Sequence, residues 1–163
     1  MKKMERTYIQ DKKFKKEDFT TNEFPIADYE NCVFTNCDLS NADLSQRVFL
    51  ECEFNSCNLS TANLTNTGLK NIKFKDCKLL GLHFENCDPF LFEVDFTEAD
   101  LTNSLFDNCD LSGARFERTI LEKADLRTSR NYSIDPEINM IKKAKFSIHG
   151  IAGLLNKYDI EIE

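Results

Sequence analysis

The sequence predicts an all-β fold, a four-sided solenoid of stacked coils. Three observations predict it. Phe, Leu or Tyr recurs at every fifth position over most of the chain, the residue two before each of these is usually small, and the other three positions of each unit are mostly polar.

The apolar centres run without a break from Phe14 through Phe19, Phe24, Tyr29, Phe34, Leu39, Leu44, Phe49, Phe54, Leu59, Leu64, Leu69, Phe74 and Leu79 to Phe84. A second run follows at Leu91, Phe96, Leu101, Phe106, Leu111, Phe116, Leu121 and Leu126. A period of five suits neither ordinary element. On an α-helix five residues advance by about 500°, so the centres would wander round the cylinder. On a flat strand five is odd, and successive centres would alternate between faces. All of them point inward only if the backbone bends after every unit and wraps around an axis, which is a solenoid.

The number of sides follows from reading every fourth centre. Phe14, Phe34, Phe54, Phe74, Phe96 and Phe116 form a pure Phe column, while Phe19 is followed by Leu39, Leu59, Leu79, Leu101 and Leu121. Three units per turn would mix Phe14 with Tyr29 and Leu44. Like stacks on like when coils repeat at about 4.8 Å, so four sides and 20 residues per coil are expected. The Phe column, with Phe34, Phe54, Phe74, Phe96 and Phe116 at its heart, is the predicted core.

Beside each bulky centre the residue two before it must also fit inside. Ala27, Ala42, Ala62, Ala99, Ala114 and Ala124 stand there, and all seven cysteines fall on the same five-residue count: Cys32, Cys37, Cys52, Cys57, Cys77, Cys87 (where Pro89 takes the place of a centre) and Cys109. Two places depart from the pattern. Arg47 occupies one of these inward positions, where a buried charge is costly; the corner is expected to bulge or the guanidinium to reach solvent. Phe84 and Phe96 are twelve residues apart instead of ten, so a local bulge is expected near 87–93, with Phe90 and Phe92 partly exposed. Pro89 cannot donate a ladder hydrogen bond, which suits a bulge.

Strings such as Cys37-Asp38-Leu39-Ser40, Ala42-Asp43-Leu44-Ser45, Ala62-Asn63-Leu64-Thr65 and Ala99-Asp100-Leu101-Thr102 resemble the pentapeptide-repeat family, whose unit is Ala-Asp/Asn-Leu-x-x with Cys or Phe as common variants. The resemblance covers roughly residues 14–130. It implies a right-handed quadrilateral β-helix, in agreement with the column argument. The chain then divides into a lead-in over 1–13, the β-helix over 14–130, and a C-terminal cap and dimerisation segment over 131–163. In the cap, Asp135-Pro136-Glu137 reads as a helix start, Ala144-Lys145-Phe146-Ser147 as one more repeat unit, and Ile151, Leu154 and Leu155 as a short amphipathic helix. Asp159 to Glu163 alternates like an edge strand. A solenoid end exposes its core and needs such a cap.

Composition narrows the function. Hydrophobic residues make up 41 % of 163 and the formal net charge is −7. That balance argues against direct nucleic-acid binding, which needs Lys and Arg to displace counterions. No apolar run reaches the length of about 18 residues that a membrane span needs, and the first residues lack a secretory apolar stretch. Inward, regularly spaced cysteines read as reduced thiols, so a cytoplasmic location is expected. Chemistry is sparse. The two histidines, His83 and His149, are far apart and expected at the surface, and the five glycines form no phosphate-cradling loop. Because the cysteines interchange with Ala, they read as core fillers and not as metal ligands. No catalytic residue, metal or cofactor is expected, and the protein is read as a non-enzyme.

The outward charge is uneven. Sorted by side, Glu23, Asp43, Glu85, Asp107 and Asp125 share one face, and Asp28, Glu30, Glu51, Asp88, Glu93 and Asp110 share the next. The Phe-column side is mildly basic, through Lys13, Lys15, Lys16, Lys73, Lys75, Arg115 and Arg118. The family resemblance implies what acidic sides are for. Its Qnr-like members are rod-shaped dimers that mimic duplex DNA, bind DNA gyrase or topoisomerase IV, and affect fluoroquinolone susceptibility. By that implication the eleven acidic residues are the partner-binding set, and Phe146, Ile151, Leu154 and Leu155 make the contact of a homodimer. A structural or scaffolding module with another protein partner is the alternative. Qnr-type members carry longer projecting loops than the small bulge near Pro89.

Overall fold

A computed structural model describes residues 6–21 and 24–161. The chain winds into a right-handed, four-sided β-helix of about seven turns. Short strands stack as Thr7–Gln10 (β1), Lys13–Lys15 (β2), Ala27–Glu30 (β3), Val33–Thr35 (β4), Val48–Leu50 (β5), Glu53–Asn55 (β6), Gly68–Lys75 (β7) and Phe92–Asp95 (β8), with Asp125–Leu126 (β9) and Lys145–Phe146 (β10) further on. All pairings are parallel. The order β1-β3-β5-β7-β6-β4-β2, with β8 on β7, describes two adjoining sides joined where β7 runs round a corner. The other sides are held by single bridges such as Asp18–Asp38, Asp38–Asn58 and Asn58–Lys78.

The register is the predicted 20 residues. Phe14 lies opposite Phe34, Phe34 opposite Phe54 and Phe54 opposite Phe74. Their rings stack face to face with centroids 4.5, 4.5 and 5.0 Å apart. Phe34, Phe54, Phe74, Phe96 and Phe116 are all buried, and the core is one continuous cluster along the axis.

Most corners are tight turns with one left-handed residue two after the centre. At the corner after Leu39, for example, Asn41 has φ 57° and the Ala42 N–H donates to the Leu39 carbonyl over 3.1 Å. This is the geometry of a type II turn, which asks for Gly or Asn at that point. Asn fills many of the corners, but Gln46, Glu51, Ser56 and Thr61 also hold positive φ. The Asp or Asn just before each centre supports the same corner from outside. Its Oδ1 accepts the N–H two residues on: Ser40 to Asp38 at 2.9 Å, Ser45 to Asp43 at 3.0 Å, Thr102 to Asp100 at 3.0 Å. Such side chains mimic a backbone turn, so the recurrent Asp of the repeat is a structural element as well as a charge.

At many inward small positions the side chain also supplies a hydrogen-bond donor. Thr67 Oγ1 donates to the Leu44 carbonyl at 2.9 Å, Thr119 Oγ1 to Phe96 at 2.8 Å and Ser129 Oγ to Phe106 at 2.6 Å. The thiols of Cys57 and Cys77 make the same contact, to Phe34 at 3.5 Å and Phe54 at 3.2 Å. In each case the acceptor is the centre 23 residues earlier. Buried carbonyls need partners, which explains why Cys, Ser and Thr alternate with Ala here.

Arg47 obeys the same rule, contrary to the expectation of a bulge or an escape to solvent. Only 3 % exposed, it donates from one terminal nitrogen to the Phe24 carbonyl at 2.6 Å, from the other to Ser45 at 2.8 Å, and from Nε to Pro25 at 3.2 Å. Its guanidinium also lies 5.6 Å from the Phe24 ring centroid. Three carbonyls and an aromatic ring replace the water it loses.

The bulge sits where expected, with a detail corrected. Leu69 pairs with Phe92, not with the predicted centre Leu91, and the register then shifts so that Ile72 faces Val94. Leu91 rests against Gly68, where any Cβ would meet its Cδ1 at 2.9 Å. Phe92 is half-buried, whereas Phe90 is 92 % exposed. The Phe column resumes across the insertion, with Phe74 and Phe96 still parallel but 6.1 Å apart.

Beyond residue 130 the coil continues. No helix starts at Asp135. Its Oδ1 accepts the Glu137 N–H at 2.9 Å, the chain turns, and Met140 bridges in parallel to Ile120. Buried Asn139 then fills the inward position, and its Nδ2 reaches the Phe116 carbonyl at 3.3 Å. Local helix signals lose here to the ladder offered by the coil below. Lys145–Phe146 pairs with Asp125–Leu126 as a further repeat unit. Two 310 helices, Ile148–Leu154 and Asn156–Tyr158, close the end. The first packs on Tyr132, so closely that a Cβ at Gly153 would lie 2.4 Å from the Tyr132 carbonyl oxygen. Asp159 to Glu161 form no strand; Ile162 and Glu163 lie outside the described residues.

Candidate functional site

The acidic residues come outward on adjoining sides, carried by the strands and corners just described. Asp43, Glu51, Glu93 and Asp107 are exposed; Asp28, Glu30, Glu85, Asp88, Asp110 and Asp125 are half-exposed. Glu23 lies outside the described residues.

Much of this charge has local employment. Asp43, Asp88, Asp110 and Asp125 each accept a backbone N–H two residues ahead. Asp28 is 2.9 Å from Arg6, Asp110 is 3.3 Å from Arg130, and Asp125 is 2.7 Å from Arg127 and 3.6 Å from Lys145. Hydrogen bonds from the Asn131 side chain and the Ser112 N–H hold Asp110 down to about 2, and the Arg127 fork does the same for Asp125. Asp43 is also lowered, chiefly by Ser45. Among the described residues Glu30, Glu51, Asp88, Glu93 and Asp107 make no ion pair within 4 Å. The uncompensated negative charge is therefore concentrated on a subset of the predicted faces.

On the mildly basic Phe-column side Lys73, Arg115 and Arg118 are paired, while Lys13, Lys15, Lys16 and Lys75 make no ion pair within 4 Å among the described residues. Glu53, Lys73, Asp95 and Arg115 follow one another up that side, with Lys73 3.0 Å from Glu53 and Arg115 3.8 Å from Asp95. Arg118 adds a bond to Glu98 at 3.1 Å. Along the Glu53–Lys73–Asp95–Arg115 column the charges alternate in register.

At the C-terminal end, Leu154 is buried and Phe146 and Leu155 are half-buried, while Ile151 is 47 % exposed. The Phe146 ring lies tilted by 50° against Tyr132, ring centroids 5.7 Å apart. Ile148, absent from the predicted contact set, is 81 % exposed. Two further apolar residues stand at the side walls, of which Leu105 escaped the sequence reading and Phe90 is more exposed than it expected. Leu105 stands outward, one before its centre, in the column where Asp43, Asn63 and Asp125 stand, and Phe90 tips the bulge. An apolar residue at a position otherwise polar was the available signal for Leu105.

Six of the cysteines are buried and Cys109 is half-buried. Burial pushes Cys52 and Cys109 up to about 12, which keeps them as neutral thiols. Among the described residues no group of three His, Cys, Asp or Glu could hold a metal ion, and no helix is long and apolar enough to cross a membrane. His83 and His149 are both exposed.

Comparison with known proteins fits the repeat. The family model described as a pentapeptide repeat region matches residues 7–84 and 47–126. No curated protein sequence matches. Among solved structures, the chain is similar to full-length QnrB1, a plasmid-mediated fluoroquinolone resistance protein, at 19 % identity over 94 % of this chain and 100 % of that one, with a TM-score of 0.34. It is similar to Rfr23 from the cyanobacterium Cyanothece 51142 at 15 % identity, over 87 % of this chain and 85 % of that one, TM-score 0.37. HetL of Nostoc sp. strain PCC 7120, involved in heterocyst differentiation regulation, shares 16 % identity over 86 % and 87 %, TM-score 0.34. With a repeat model spanning most of its coils and every coil built on the same unit, the chain belongs to the pentapeptide-repeat family.

Proposed function

We propose that the protein is a non-catalytic interaction module that presents its two acidic sides to a basic groove on a partner protein, as a mimic of duplex DNA. DNA gyrase or topoisomerase IV is the specific partner of this reading, and altered fluoroquinolone susceptibility its consequence. The observation that carries it is the stacking of outward carboxylates on adjoining sides of a rigid rod. With roughly two per coil of about 4.8 Å, they give about one charge per 2.4 Å before ion pairing, against about one per 1.7 Å in duplex DNA. That is enough to steer association with a basic surface. In the same reading the protein is a homodimer joined at its C-terminal ends.

The local pairing of Asp28, Asp110 and Asp125 favours a second reading, a scaffold for a protein partner that does not bind DNA. A gyrase supercoiling assay with rising concentrations of the purified protein, with and without a fluoroquinolone, separates the two. Inhibition or drug protection at micromolar protein supports DNA mimicry. No effect over that range leaves the scaffold reading.

A further inference from the structure

Two clefts open on the acidic side next to the bulge. The larger, about 470 Å³, is lined by Glu85, Leu105, Asp107, Asp125, Arg127 and Thr128. The smaller, about 230 Å³, has Glu85 and Asp107 in its wall as well, together with Phe84, Pro89 and Phe92. The two therefore meet at Glu85 and Asp107, with apolar Leu105 in the larger cleft and Phe84, Pro89 and Phe92 in the smaller.

Three features of the walls define what fits. Arg127 already lays its guanidinium across Asp125, with Nε 2.9 Å from Oδ1 and a terminal nitrogen 2.7 Å from Oδ2. The wall thus accepts a planar cation in a two-pronged contact. Glu85 Oε1 meets the His83 ring at 2.7 Å, but its Oε2 is shut off from solvent with no hydrogen-bond partner. A buried acceptor of that kind is costly until a donor reaches it. Asp107 bonds the Thr128 hydroxyl and makes no ion pair within 4 Å among the described residues. Beyond Pro89 the exposed Phe90 ring stands on a turn held by Asp88, whose Oδ1 accepts the Phe90 N–H at 2.9 Å.

We infer that these joined clefts are the docking site for an arginine-bearing segment of a partner protein, with Phe90 as a neighbouring apolar anchor. An arginine stem covers Leu105 while its head satisfies Glu85 and Asp107, since long basic side chains bury their methylenes and keep the charge among acceptors. A simple anion is repelled, and a purely apolar segment would bring no donor to Glu85 Oε2 and no countercharge to Asp107. The inference rests on the proposed interaction role and says which part of the acidic surface performs it.

The test is an NMR titration of the 15N-labelled full chain with tri-arginine amide. The expected result is saturable binding with the largest amide shifts at Glu85, Leu105, Asp107 and Thr128. Leu105→Lys, an outward substitution, should weaken binding at least tenfold, as should Glu85→Gln, which leaves the floor intact should the lysine disturb it. Asp43→Asn, on the same side two coils away, should change it less than twofold. Shifts spread evenly over Asp28, Asp43 and Glu51, or wild-type binding by both cleft variants, would overturn the inference. The supercoiling assay keeps the two ideas apart. Gyrase inhibition without localised peptide binding sinks the cleft alone, and localised binding without any gyrase effect sinks the gyrase reading alone.

Discussion

The guanidinium of Arg47 donates to the carbonyl of Phe24, 23 residues earlier, at 2.6 Å. That is the same step taken by the hydroxyls of Thr67, Thr119 and Ser129 and by the thiols of Cys57 and Cys77. The largest side chain at an inward position thus does what the small polar ones do, and binds Pro25 and Ser45 as well.

Replacing Arg47 with Met keeps the bulk and removes every donor. We expect a loss of about 2–4 kcal/mol in urea-induced unfolding, since breaking a buried, hydrogen-bonded charge leaves several carbonyls unpaired. Stability equal to wild type would show that water takes over those carbonyls.

Phe54 is stacked between Phe34 and Phe74. Phe54→Ala should cost about 3–5 kcal/mol, the transfer term plus the cavity left in a rigid stack. A cost under about 1 kcal/mol contradicts a core organised around the Phe column.

Thr61 is β-branched yet holds φ 59°, a conformation such residues adopt only under strain. Thr61→Asn should raise stability by about 0.5–1 kcal/mol, read as a higher denaturant midpoint with unchanged slope. A lower midpoint would mean that the Thr61 hydroxyl bond to Asn41 at 2.7 Å outweighs the backbone strain.

Acid should loosen the corners. Asp110 and Asp125 are held to about 2, below the ordinary Asp value near 3.8. A carboxylate lowered in the folded state adds stability that is fully present above its unfolded pKa and lost as pH falls through its folded one. The melting temperature should therefore drop between about pH 4 and pH 2, and the slope should flatten in the Asp110→Asn, Asp125→Asn double variant. An unchanged slope would locate the acid sensitivity elsewhere.

Dimerisation through the C-terminal end calls for different variants from those the sequence suggests. Leu154 is buried, so changing it tests the cap and not an interface. Ile148 and Ile151 are the exposed apolar residues there. Ile151→Glu, alone and with Ile148→Glu, should halve the mass seen by light scattering if the ends meet. Wild-type mass in both would remove this end as the interface.

The repeating part of the protein was legible in its residues because the signal is periodic and redundant. A period of five, a pure Phe column and small inward neighbours admit one winding, and Phe34 stacks on Phe54, and Phe54 on Phe74, as that winding requires. The two-residue insertion was legible for the same reason, as a break in a count. What the count could not assign was which of Leu91 and Phe92 would pair with Leu69, since both are apolar and the choice turns on the space beside Gly68. The helix expected from Asp135 failed because capping signals are local, while Asn139 and Met140 found partners in Phe116, Thr119 and Ile120 on the preceding coil. Arg47 looked misplaced because a sequence shows a charge but not the carbonyls around it. The acidic sides divide in the same way. The sequence alone determined how many carboxylates face outward and on which sides, because position within the unit sets direction. Only the tertiary structure decided which of them are tied to Arg6, Arg127, Arg130 or a turn N–H, and which remain to meet a partner. The physical reason is that the bonds to Arg6 and Arg130 join residues 22 and 20 apart, which come within reach only when the coils stack, while Arg127 and the turn N–H groups meet a carboxylate two residues away only where the chain bends at a corner.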